Sequence, residues 1–136
     1  MSWAKSLIKL STYEVEVLQK RLAEIADRRQ HQEMKLILLE AEAESEAERI
    51  RADAEAGWYQ LGYKEGLRLR RAAIQVEIDR ILVEESGARD ALAQAFEEQK
   101  KYEQVAENLR VTAQRETARR ETAALDELGL RRAAGR

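Results

Sequence analysis

Gly57-Trp58-Tyr59-Gln60-Leu61-Gly62-Tyr63-Lys64-Glu65-Gly66-Leu67 is the stretch on which the fold turns. It concentrates three of the six glycines, one of the two tryptophans and two of the four tyrosines in a chain that is otherwise long helical pattern. A glycine inside a helix costs about 1 kcal/mol relative to alanine, so three at close spacing mark the place for the helix to stop and reverse. The reading is an all-α hairpin of two long helices, with this stretch at its tip.

The flanks support that reading. Before the tip, apolar residues recur at alternating spacings of three and four: Val15, Leu18, Leu22, Ile25, then polar Arg29 and Gln32, then Leu36, Leu39 and Ala43. That is a heptad seam with two polar layers. Its continuation, Ala47, Ile50, Ala54, Trp58 and Leu61, begins with an extra step of four, a stutter that unwinds a supercoil locally. After the tip the seam resumes at Leu67, Arg71, Ile74, Ile78, Ile81, Glu85, Ala88, Leu92, Ala95, Gln99, Tyr102, Ala106, Leu109 and Ala113, then thins out towards the C-terminus. Ser11 with Glu14 has the spacing of a capping box, although helix-compatible residues reach back to Ser2.

Two seams of comparable length predict an antiparallel coiled-coil hairpin occupying 1–136 as one domain. Helix 1 is expected over about 4–58, the turn within 57–66 and helix 2 over about 66–132. A reversal centred near Leu61 or Gly62 sets Leu22 level with Tyr102, Leu36 with Ala88 and Ile50 with Ile74, and leaves helix 2 overhanging from about Ala123. The rival arrangement, one continuous helix in a parallel dimer, has to hold Gly57, Gly62 and Gly66 in helix at roughly 3 kcal/mol per chain.

Composition agrees with a coiled coil rather than a globule: 37% of residues are charged, 5% are aromatic and proline is absent. A net charge of -2 provides no global field for nucleic acid or anionic membrane. Acidic residues crowd Glu40 to Glu55, while Lys64 to Arg71 and Arg110 to Arg120 lean basic. The second basic run lacks interleaved aromatics and contains Glu116, so nucleic acid is not expected as a partner. Without cysteine there is no disulfide or thiolate chemistry. No apolar run approaches the roughly 20 residues of a membrane span, and the first ten residues lack the apolar region of a secretory signal. A cytoplasmic protein is expected.

No catalytic, cofactor or metal site is read from the sequence. His31 has no second imidazole or cysteine at ligand spacing, and the glycines form neither a dinucleotide fingerprint nor a phosphate loop. Glu84-Glu85 and Glu97-Glu98 are carboxylate pairs without a pocket to tune them. What remains is surface for partners, and aromatic and arginine residues dominate binding hot spots. Trp58, Tyr59, Tyr63 and Leu67 gather such residues beside Lys64, Arg68, Arg70 and Arg71.

The C-terminal segment Glu121-Thr122-Ala123-Ala124-Leu125-Asp126-Glu127-Leu128-Gly129-Leu130-Arg131-Arg132-Ala133 resembles the end of the FliJ family of flagellar type III export proteins, which finish on a hydrophobic-Asp-Glu step followed by small and basic residues. The length, the hairpin pattern and Tyr63-x-x-x-Leu67 with the following Ile74 fit the same family. The resemblance implies a non-enzymatic stalk, one end of which enters the pore of the hexameric export ATPase. It also implies contact with the cytoplasmic part of the export gate and with export chaperones, and membrane association only through those partners. Leu125, Asp126, Glu127, Leu130, Arg131 and Arg132 are the resulting candidates for the ATPase end. Tyr63 and Leu67 are candidates for the gate contact, to which the hot-spot argument adds Trp58, Tyr59 and Arg71. The alternative is a generic coiled-coil scaffold or self-associating rod. A vacuolar-type rotor subunit would require a longer chain with a globular insertion.

Overall fold

The computed structural model describes residues 2–135, apart from the side chains of residues 2, 54 and 56. Its elements are helix α1 (Ser2–Ala52), a 3-10 segment (Ala54–Tyr59) and helix α2 (Gln60–Ala134), with no strand among the described residues. The fold is all-α, built on two long helices. Its contacts divide the chain into two compact units, Glu16–Ala93 on the one hand and Met1–Val15 with Gln94–Arg136 on the other.

The reversal lies in the first of these units, and Asp53 makes it. Asp53 adopts extended backbone (φ -118, ψ 106), which ends α1. Its N–H closes the last turn onto the Arg49 carbonyl at 3.1 Å. Its carboxylate accepts from the Glu55 N–H at 3.0 Å and so caps the 3-10 segment. The turn therefore begins before the 57–66 window expected from the glycines and overlaps it only over 57–59, and α1 ends at Ala52 rather than near residue 58. Gly62 and Gly66 sit inside α2, which starts at Gln60. No described residue has positive φ, so neither glycine is required by backbone conformation. An acid able to cap outweighed a propensity penalty that a paired helix tolerates.

Moving the turn moves the register. Arg28 donates to both carboxylate oxygens of Glu84, at 3.1 and 2.7 Å, and Arg71 makes a two-pronged pair with Glu40. The sequence midpoint of either pair falls at residue 55 or 56, inside the 3-10 segment. Ala88 accordingly packs with Ile25 and Ile81, not level with Leu36. A second cluster joins Leu39, Ala43 and Leu67, with half-buried Tyr63 and Ile74 against it. Near the turn, Ile50 stays half-buried, whereas Ala47, Trp58 and Leu61 on the expected path are exposed, and the side chain of Ala54 lies outside the described residues.

Against the first cluster, between Ile81 and Ala88 of α2, the seam carries a polar layer. Glu85 is 2% exposed and accepts from Arg29 Nε at 2.6 Å and from Arg89; Arg29 also donates to Glu33 at 3.0 Å. Each carboxylate oxygen of Glu85 is satisfied, which is what burial of a charge demands.

In the other unit, Ala4, Ser11 and Val15 of α1 and Ala95 of α2 are buried. Gln99 donates to Thr12 at 3.0 Å, a smaller polar layer of the same kind. Ser11 is interior to α1 and not its cap: its hydroxyl donates to the Ile8 carbonyl at 2.9 Å. Ala113 is the last half-buried residue of α2, and 114–135 are exposed throughout. The overhang thus begins about two and a half turns before the expected Ala123.

Candidate functional site

Two surfaces carry the candidate residues, and each is described within its own unit. Near the turn, Tyr63, Leu67 and Arg71 are brought together, being spaced at one turn per step along α2. They line a groove of about 590 Å³ whose opposite wall is Ile37, Ala41, Ala43, Ala47 and Ile50 of α1, with Glu40, Glu44 and Lys64 also lining it. Leu67 belongs to the buried floor. Arg71 is held by Glu40, and that pairing keeps the Glu40 carboxyl below the usual carboxylate range, chiefly through the hydrogen bond from Arg71.

Tyr63 Oη is buried without a hydrogen-bond partner, in a groove that otherwise offers mainly apolar surface. A buried hydroxyl left unpaired costs on the order of 1–3 kcal/mol, so this atom stands out as one that a bound segment would relieve.

Trp58 and Tyr59 lie outside that groove. Their rings meet edge to face at 5.5 Å, and Tyr59 accepts from Arg49 at 3.0 Å, tying the 3-10 segment back to the end of α1. Trp58 is 84% exposed, an unusual state for the largest apolar side chain. The sequence grouped Trp58, Tyr59, Tyr63, Leu67 and Arg71 as one tip surface, whereas the structure places the last three along one groove and the first two in a separate aromatic pair. It also missed the α1 wall. The signal for it was the unbroken run Leu36-Ile37-Leu38-Leu39, which supplies more apolar positions than a single seam uses and leaves Ile37 and Leu38 about 60% exposed.

The second surface is the unaccompanied stretch of α2. Leu125, Asp126, Glu127, Leu130, Arg131 and Arg132 are all exposed there. Glu127 pairs with Arg131 at 3.0 Å, and Gly135 N–H closes the helix end on the Arg131 carbonyl at 3.0 Å. At about 100° per residue, Leu125 and Leu128 lie on one side of the helix while Leu130 lies across it. A helix with apolar residues on opposing sides offers contact surface in more than one direction.

The remaining charged features are structural. Glu84 and Glu85 hold α1 through Arg28 and Arg29. Arg110 and Arg120 of the basic run pair with Glu107 and Glu116 on their own helix. Among the described residues no three metal-ligating side chains come together, and no helix is long and apolar enough to cross a membrane.

No protein-family model and no solved structure matches the chain. Curated relatives do. The chain is 54% identical over 132 residues to the flagellar FliJ protein of Caulobacter vibrioides strain NA1000 / CB15N, covering 97% of this chain and 95% of that protein. The same figures hold for the flagellar FliJ protein of strain ATCC 19089 / CIP 103742 / CB 15. At that identity, over nearly the full length of both chains, this protein belongs to the FliJ family of flagellar proteins.

Proposed function

We propose that the protein is a non-enzymatic stalk of the flagellar type III export apparatus. The unaccompanied end of α2 enters the hexameric export ATPase, and the groove near the turn engages the cytoplasmic part of the export gate. Its action is mechanical: a helical stalk with unlike faces biases the assembly and state of ring subunits without chemistry of its own. Export chaperones are further partners, and the protein is cytoplasmic, reaching the inner membrane only through the complex.

The observation that carries the reading is the bare helix 114–135, whose leucines face more than one way. It is continuous with the paired part of α2. Helix nucleation is the costly step, and here it is already made upstream, so the segment reaches its partner ordered and loses little entropy on insertion. Intrahelical pairs such as Glu116–Arg120 and Glu127–Arg131 add to that order.

The test is capture of the cognate export ATPase and stimulation of its hydrolysis. Replacing Asp126, Glu127 and Arg131 together should abolish stimulation while far-UV circular dichroism stays that of the wild type. Neither binding nor stimulation by the wild-type chain would sink the stalk reading. Loss of helicity in the triple variant would show that this end is needed for the fold.

A further inference from the structure

The outer face of α2 between Gly62 and Gly87 is not used by anything described above. Leu69, Val76 and Val83 recur there every seven residues and are 56%, 51% and 75% exposed. At about 100° per residue they lie opposite the seam positions Ile78, Ile81 and Glu85, which are buried against α1. Interleaved at the other heptad position are Gly66, Ala73, Arg80 and Gly87, so the face is a second heptad seam of apolar and small residues, interrupted by Arg80.

The glycines are the informative part. Gly62, Gly66 and Gly87 are helical, and a methyl group built on any of them would meet nothing within 4 Å. Neither backbone conformation nor packing within the chain calls for glycine, although each weakens the helix. A helix approaching from outside would call for it.

We propose that this face binds the same face of a second copy of the chain, antiparallel. The choice of occupant follows from self-complementarity. With Val76 set beside Ala73 of the second copy, and Ala73 beside its Val76, Val83 falls over the recess at the other copy's Gly66. In the same register Gly62 meets Gly87, and Leu69 runs along the aliphatic stem of Arg80. Every large residue then faces a small or flexible one, and a two-fold axis repeats each contact.

The flanking charges agree. Arg70 comes beside Glu77 of the second copy, twice by symmetry, while Glu65 meets Ser86 and Asp79 meets Ala72, so no like charges are opposed. Within the chain Arg70 has only a 3.9 Å contact to Glu42, and Glu77 a 3.7 Å contact to Arg80, exposed pairs that are readily exchanged. The seam from 62 to 87 is about 38 Å long at 1.5 Å per residue, more than three heptads of contact.

Sedimentation equilibrium of the full chain, loaded from about 1 to about 200 μM, tests this without any export partner present. The wild type should show a monomer–dimer equilibrium within that range. Gly66→Leu, which fills the recess under Val83 while favouring helix, should weaken dimerisation about tenfold or more. Arg70→Glu and Glu77→Arg should each weaken it, and their combination should restore it. A wild type that stays monomeric overturns the proposal, as does association indifferent to Gly66→Leu or a charge swap that fails to restore. Should Gly66→Leu lower the helical signal, the swap decides alone, with the far-UV spectrum of each charge variant recorded beside it because Glu77 is half-buried near Arg28.

Discussion

Glu85 offers the sharpest test of how the two helices are held in register. Its carboxylate is 2% exposed in the middle of an otherwise apolar seam, bonded to Arg29 across the helix pair and to Arg89 one turn on. Truncation by Glu85→Ala leaves Arg29 half-buried with its cross-helix partner gone. Removing one member of a buried pair costs about 3–5 kcal/mol, and the expectation here is lower, about 2–3 kcal/mol, because Arg29 keeps Glu33 and some access to water. The double variant Arg29→Leu with Glu85→Leu joins a layer already lined by Ile25, Ile81 and Ala88, and should recover most of the loss or exceed the wild type. Urea unfolding followed at 222 nm on the wild type, Arg29→Leu, Glu85→Leu and the double variant gives the coupling directly, with Glu85→Ala measured beside them. If Glu85→Ala unfolds within about 0.5 kcal/mol of the wild type, the layer is not a buried ion pair in solution and the register argument fails. The double variant carries a second consequence: with its charge-matched layer gone, the seam should tolerate a slipped register, visible as loss of a single set of amide resonances.

Other consequences follow from the turn and the groove. Gly62→Ala and Gly66→Ala should each stabilise the chain by about 0.8–1.0 kcal/mol when measured at about 1 μM, the dilute end of the proposed monomer–dimer equilibrium; were these glycines in the turn itself, both would destabilise it. Tyr63→Phe removes an unpaired buried hydroxyl and should raise stability by roughly 1 kcal/mol while weakening capture of the export gate, so melting and binding should move in opposite directions. The Glu40 and Glu84 carboxyls are both held below the usual carboxylate range, first by hydrogen bonds from Arg71 and Arg28 and then by their charges. Their contribution is therefore complete above about pH 4.3 and is lost as pH falls through the lowered native values, so the melting temperature should drop on acidification. Glu40→Gln with Glu84→Gln should flatten that acid limb and leave the slope above about pH 6 unchanged.

The seams were legible because heptad spacing is a local property of the sequence: Val15, Ile25, Leu39, Leu67, Ile78, Ile81 and Ala95 were all placed on them and are all buried. The polar positions Arg29, Glu85 and Gln99 were legible as polar, but their partners were not, because a partner depends on register and register depends on where the chain turns. That single uncertainty propagated. Glycine reads as the breaker because its penalty is uniform and easily counted, whereas the break is made by Asp53, whose side chain satisfies the backbone donor of Glu55. The pattern Asp53-Ala54-Glu55 was present to be read, and a capping acid among seven acidic residues between Glu40 and Glu55 was hidden by their number. The groove near Tyr63 shows the complementary limit, since its α1 wall became adjacent only once the register was known.

The placement of the polar layers bears on how such a chain serves partners. An apolar heptad seam is compatible with several registers one heptad apart, and a slip of seven residues would lengthen or shorten the bare end of α2 by the same number. Arg29–Glu85 and Thr12–Gln99 each forbid the slip in their own unit, the first by burying a charge that only one register satisfies, the second by a neutral hydrogen bond. A seam made wholly of leucine would be more stable and less determinate. For a protein whose proposed work is to present a fixed length of helix to a ring and a fixed groove to a gate, the determinate arrangement is the useful one. The two layers are therefore better understood as fixing the register of the helices, each in its own unit, than as adding net stability.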